Sequence, residues 1–147
     1  MVLAEGLSTM SESTILIVDD EAAIRDMVSI TLDLAGFNSI SAANAHDAHV
    51  SIIDKKPDLV LLDWMLPGQS GESLTRRWRA TAKTQALPIV LLTARGDEAD
   101  KVMGLNAGAD DYVTKPYNRL EFLNKIDVYM QLHSLEVIEG LKSELLQ

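Results

Sequence analysis

The stretch Asp58-Leu59-Val60-Leu61-Leu62-Asp63-Trp64-Met65-Leu66-Pro67-Gly68 constrains this chain more than any other. Its four consecutive aliphatic residues offer no polar face, which suits a central strand covered on both sides in a parallel sheet. Asp63 follows at the carboxyl end of that strand. Pro67 and Gly68 then turn the chain, so the carboxylate is delivered to a loop mouth. In open α/β sheets that rim is where ligands bind. Taken alone, Asp63 reads equally well as a strand or turn cap, and the other strand ends have to decide.

Ile15-Leu16-Ile17-Val18 is a second all-apolar strand, and it runs into Asp19-Asp20-Glu21. Adjacent carboxylates repel one another unless a cation or solvent screens them. A small cluster of hard oxygen ligands suits Mg²⁺, which takes one or two carboxylates, several waters and phosphate oxygens. The plainer reading is that these acids cap the next helix, where negative charge complements the dipole. Glu21 fits that reading well, and for Asp19 and Asp20 the two roles coexist. Pro88-Ile89-Val90-Leu91-Leu92 is a further buried strand and ends in Thr93, followed by the small Ala94. Asp110-Asp111-Tyr112-Val113-Thr114 is a short last strand, closed by Lys115-Pro116, where residue 115 must be extended and the peptide bond is a cis candidate.

Helical periods lie between these strands. Ile24, Met27, Val28, Thr31 and Leu34 fall on one face, with Gly36 as the stop. Asn38 to Ala42 is a weak, short strand. Asn44 can cap a helix that turns Ala45, Ala48, Ile52 and Ile53 inward and ends at Lys55-Lys56-Pro57. His46 and His49 are three apart, but with no other His or Cys nearby in sequence a solvated face is expected rather than a metal site. Gly71 to Arg79 reads as a helix anchored by Leu74 and Trp78, with Arg76, Arg77 and Arg79 as solvated surface. A poorly amphipathic helix from about Asp97 to Ala107 reads as marginal and mobile. Asn118 opens a final helix with Leu120, Leu123, Ile126 and Met130 along one side, and Leu132, Leu135, Ile138, Leu141 and Leu145 continue an apolar stripe. Five strands alternating with five helices predict a doubly wound parallel sheet of order 2-1-3-4-5, flavodoxin-like, which brings Asp19, Asp20 and Asp63 together at the switch point.

Composition narrows the function. At 147 residues, 47% of them hydrophobic, the chain has the length of one domain and material for a real core. A formal charge of −9 argues against non-specific nucleic-acid binding and anionic membranes. With no cysteine there is no disulfide framework, thiol nucleophile or Cys-based metal site. No apolar run has the length of a membrane span, and the opening residues lack a signal-peptide pattern, so a soluble cytoplasmic protein is expected. The expected organisation is a disordered lead-in over 1–13, a domain over 14–132, and a helical extension or linker toward an effector over 133–147.

Val18-Asp19-Asp20-Glu21, Leu62-Asp63-Trp64-Met65-Leu66-Pro67-Gly68, Leu92-Thr93-Ala94 and Lys115-Pro116 together resemble the receiver domains of two-component response regulators. The resemblance runs from about Ile15 to Leu132, and its flavour is that of receivers attached to winged-helix DNA-binding domains (the OmpR/PhoB class). It implies Asp63 as phosphoacceptor from a sensor histidine kinase or phosphotransfer protein. It implies Mg²⁺ held by Asp19, Asp20, Asp63 and the Trp64 backbone carbonyl. Lys115 and Thr93 would bind phosphoryl oxygens beside Ala94, and Tyr112 would be the aromatic switch. The activity implied is self-phosphorylation with slow autodephosphorylation rather than turnover of a substrate.

Other classes fit less well. A hydrolase of the haloacid-dehalogenase type wants a second Asp two residues after the nucleophile, where this chain has Met65. A flavodoxin-like flavin carrier wants a Ser/Thr/Gly-rich phosphate loop where Asp19-Asp20-Glu21 stands. The remaining alternative is a receiver-like interaction module that works without phosphorylation. No winged-helix segment follows, so direct nucleic-acid binding by this chain is not expected. The winged-helix class dimerises through charged pairs on the fourth helix, fifth strand and fifth helix. Asp110 and Asp111 supply the acidic half, with Lys101 and Lys125 as candidate partners, while Met103, Asp127 and Gln131 stand where basic groups are usual. Homodimerisation through that face or through the C-terminal helix is a further expectation.

Overall fold

The computed structural model describes residues 13–93, 98–114 and 119–130. Five strands, β1 (Thr14–Val18), β2 (Asn38–Ala42), β3 (Leu59–Asp63), β4 (Ile89–Thr93) and β5 (Asp111–Thr114), form one sheet of order β2-β1-β3-β4-β5. Every neighbouring pair is parallel. The intervening helices are α1 (Ala22–Leu34), α2 (Ala45–Lys55), α3 (Gly71–Arg79) and α4 (Glu98–Asn106). A fifth helix, α5, covers 119–130. The chain divides into two compact units, Met1–Pro116 and Tyr117–Gln147, and α5 belongs to the second. The doubly wound parallel fold expected from the apolar runs is the fold observed.

The all-apolar strands are buried on both sides, as their lack of a polar face requires. Ile15 to Val18, Leu59 to Leu62 and Ile89 to Leu92 are each at most 1% exposed. Each such aliphatic side chain contributes about 1.5–3 kcal/mol relative to an exposed position, so the strand carrying Asp63 is among the most firmly anchored elements. Leu16, Val18, Val60, Leu62, Ile89 and Leu91 share a cluster with Ala48 and Ile52 of α2 and Leu74 and Trp78 of α3. By strand alternation the odd residues of β1 and β3 face the opposite side. The edge strand β2 buries only Ala42.

The helices start and stop where local chemistry dictates. Asn44 and Ser70 are N-caps, their side chains accepting from Asp47 N and Ser73 N. Gly36, at φ 92°, lets the chain leave α1, with Phe37 N–H returning to the Leu32 carbonyl at 3.0 Å. Three apolar faces differ from the sequence reading. In α1 the buried residues are Val28, Thr31 and Leu32, whereas Met27 and Leu34 are 46% and 79% exposed. In α2, Ala48 and Ile52 are buried but Ile53 is exposed. In α5, Phe122 and Ile126 are buried and Leu120 is 70% exposed. In each case the buried stripe is narrower than the apolar set, and helical spacing alone gives its period but not its phase.

Candidate functional site

Parallel strands deliver their carboxyl ends to one edge, so each reactive strand end arrives on the same rim. Register places them relative to one another. Val18 pairs with Leu62, and one residue on, Asp19 stands beside Asp63 on adjacent strands roughly 4.8 Å apart. Asp63 itself pairs with Leu92, and Thr93 with Thr114. Alternation then divides the rim. Asp19 and Asp63 share one face of the sheet, whereas Trp64, Thr93 and Tyr112 fall on the other.

Asp19 is fully buried, Asp63 is 5% exposed, and Asp20 and Glu21 lie at the surface. One carboxylate oxygen from each of Asp19, Asp20 and Glu21 can lie within 4.8 Å of the others. Glu21 is the N-cap residue of α1, yet its side chain makes no capping hydrogen bond. Instead the Asp19 carboxylate accepts from Glu21 N–H at 2.9 Å, which aims the loop and leaves the Glu21 side chain to the cluster. Arg25, in the first turn of α1, donates from Nη1 to the Asp19 main-chain carbonyl at 2.7 Å. Two buried carboxylates side by side, with two more at their mouth, repel strongly in a medium of low polarity. All the donors are hard oxygens, so the set fits a small divalent cation such as Mg²⁺.

The loop after β3 holds Asp63 tightly. Trp64 N–H donates to the Leu92 carbonyl at 2.8 Å, and Met65 N–H to Asp63 Oδ1 at 3.3 Å. The Trp64 carbonyl accepts from Gly71 N–H at 2.8 Å, which ties this loop to the start of α3. That carbonyl, a candidate metal ligand in the sequence, therefore has one lone pair engaged and one left. Gly71 is required here, because a Cβ would lie 2.5 Å from the Asp63 main-chain oxygen.

On the other face Thr93 is buried, 4% exposed, and Tyr112 is half-buried. Lys101 of α4 places its ammonium 4.8 Å from the centroid of the Tyr112 ring, within range of a cation–π contact. Trp64, Thr93, Lys101 and Tyr112 line a cavity of about 10 Å³, close to the space one water needs. α4 comes near enough to the Trp64 ring that a Cβ at Gly104 would meet Cζ3 at 3.0 Å and Leu91 Cδ1 at 2.6 Å. Ala94, Lys115 and Pro116 lie outside the described residues.

Three features were not read from the sequence. Arg79, expected as solvated surface, is a bracket: it donates to the carbonyls of Gly108 at 2.7 Å and Leu87 at 2.6 Å and pairs with Asp110 at 2.9 Å. Asp110, offered by the resemblance as part of a dimer contact, also accepts from Ile89 N–H at 2.8 Å at the amino end of β4. Its spacing carried no signal, because the partners are 31 residues apart. His49 is half-buried with Nδ1 enclosed and unpaired, so only His46 matches the solvated-face expectation.

A parallel five-stranded sheet with buried aspartates at its switch point defines a class, and comparison with known proteins agrees. The chain belongs to the response regulator receiver domain family, whose model matches residues 15–127. Among curated relatives, the phosphate regulon transcriptional regulatory protein PhoB of Pseudomonas aeruginosa is 48% identical over 122 residues, covering 83% of this chain and 53% of that protein. PhoB of Escherichia coli is 43% identical over 125 residues, covering 85% of this chain and 55% of that protein. The chain thus spans about half the length of the curated relatives it matches. Among solved structures, a response regulator from Chloroflexus aurantiacus superposes with a TM-score of 0.78 at 36% identity, covering 82% of this chain and 98% of that one. The chemotaxis response regulator CheY4 of Vibrio cholerae does so with 0.75 at 28% identity, covering 80% and 98% respectively. No helix among the described residues is long and apolar enough to cross a membrane.

Proposed function

We propose that this chain is a phosphoacceptor receiver that takes a phosphoryl group from a histidine kinase or phosphotransfer protein onto Asp63. The observation that carries this reading is the pair of buried carboxylates, Asp19 and Asp63, on adjacent strand ends. A buried pair of like charges costs stability and persists where function uses it. In the reaction a carboxylate oxygen of Asp63 forms the new P–O bond as the P–N bond of the phosphohistidine breaks, its electron pair returning to the imidazole. Mg²⁺, when bound, screens the repulsion between the anionic nucleophile and the incoming phosphoryl group.

The chain's own residues do the positioning. Asp19, Asp20 and Asp63 would hold the cation, with Trp64 contributing its remaining carbonyl lone pair. The Met65 amide on Asp63 Oδ1 helps to orient the carboxylate for attack. Lys115 would place an ammonium against one phosphoryl oxygen and Thr93 a hydroxyl against another, with Ala94 leaving room for the group. As Thr93 moves toward the phosphoryl group, Tyr112 would turn into the space beside it, breaking the Lys101 contact and re-packing α4. The face of α4 and β5 would then carry the signal to a partner or a second copy. We assign the receiver to 14–132, and 133–147 to a helical extension or a linker toward an output partner.

The test is intact mass after incubation with acetyl phosphate, with and without Mg²⁺. One phosphoryl adduct is expected, dependent on Mg²⁺ and lost in Asp63→Asn. Undiminished labelling of the Asn variant removes Asp63 from the role. A folded, Mg²⁺-binding protein that forms no adduct with either acetyl phosphate or a phosphorylated kinase is instead an interaction module.

A further inference from the structure

Among the described basic residues, Arg25 directs its charge to the acidic loop. It sits in the first turn of α1, half-buried, and its backbone N–H closes the first helical turn on the Glu21 carbonyl at 3.1 Å. Its side chain reaches back over that turn to the Asp19 carbonyl at 2.7 Å. The guanidinium is thereby brought up to a loop that carries three consecutive carboxylates, with Asp63 on the neighbouring strand. It binds a main-chain oxygen, so this contact does not itself occupy a carboxylate oxygen. A guanidinium cannot lose its proton, and its planar fork keeps its direction, so the charge is permanent.

We propose that Arg25 is a positioning residue and a resident counter-charge of the acidic loop, acting from the α1 side. It stabilises the cation-free state, and Mg²⁺ has to bind against its field. This rests on the phosphoacceptor reading above. The consequence is an opposite pair of effects from one residue: Arg25 makes the empty loop more stable and the loaded loop weaker. A cation held loosely exchanges freely and leaves Asp63 responsive to phosphodonor. A purely structural strap has a different signature, since loosening the loop would weaken Mg²⁺ binding and stability together.

The experiment uses the full chain as wild type, Arg25→Gln, Arg25→Met and Arg25→Lys. Magnesium chloride is titrated calorimetrically at low and at high sodium chloride, and melting is followed in EDTA and in excess Mg²⁺. The Met variant keeps the aliphatic stem without charge, which covers a failure of the Gln variant to fold. Removing one positive charge beside the site is expected to tighten Mg²⁺ binding by about five- to tenfold at low salt, with the gap shrinking at high salt. The uncharged variants should melt lower in EDTA and recover more on adding Mg²⁺ than wild type does. Arg25→Lys should bind Mg²⁺ as wild type does. Uncharged variants that bind Mg²⁺ equally or more weakly overturn the proposal. A wild type that binds no Mg²⁺ overturns the reading of the site itself, which is a separate failure.

Discussion

Gly71 shows how much of the site is decided by a residue with no side chain. It donates to the Trp64 carbonyl and stands so near Asp63 that a methyl group would press on the Asp63 main-chain oxygen at 2.5 Å. Backbone on one side and a helix start on the other cannot both give way. Gly71→Ala is therefore expected to lower stability by about 1–3 kcal/mol, measured by urea unfolding, and to slow labelling of Asp63 more than the stability loss explains. Wild-type midpoint and labelling rate in that variant would show that the loop yields at no cost. Asp63 was legible in the sequence because four aliphatic residues run straight into it. The sequence marks Gly71 only as a helix start, because close approach depends on a neighbour that spacing does not reveal.

At the scale of elements, the two ends of the sheet use acidic residues differently. At the amino ends, Asp58 accepts from Thr14 N–H at 2.8 Å and Asp110 from Ile89 N–H at 2.8 Å, each satisfying the first amide of a neighbouring strand. Arg79 then ties α3 to the loops before β4 and β5. Its contacts are charge-assisted and directional, and its side chain is only 20% exposed. Arg79→Ala should cost about 2–4 kcal/mol, since three or more acceptors lose their donor. Arg79→Lys should recover little of this, because an ammonium cannot span acceptors arranged for a planar fork. Thermal unfolding of the three proteins decides it, and a Lys variant as stable as wild type refutes the bracket. Strand order and element sequence were legible because buried parallel strands are unbroken apolar runs; this long-range polar bracing was not, because it has no period.

For the molecule as a whole, the sequence carried the fold class, the strand order and the gathering of Asp19 and Asp63 at one rim, since each follows from the direction in which apolar runs end. It did not carry the phase of the helices, where Met27, Leu34, Ile53 and Leu120 lie outside the buried stripe although their spacing admits them. Apolar surplus also continues along the sequence in Leu135, Ile138, Leu141 and Leu145. An apolar stripe of that spacing generally needs a partner. We expect the full chain to self-associate as its concentration rises in sedimentation velocity, and a chain ending at His133 to remain a monomer. Identical profiles for the two would remove the stripe from any assembly role.

The uniform direction of the five strands has a practical consequence. Because the reactive ends gather at one edge, the connection between α3 and β4 lies at the other, and Ala82 within it is exposed. The chain contains no cysteine, so Ala82→Cys would be a unique attachment point. A dye, a spin label or a surface tether could be fixed there while Asp63 stays open to its donor. The molecule could then be watched while it works.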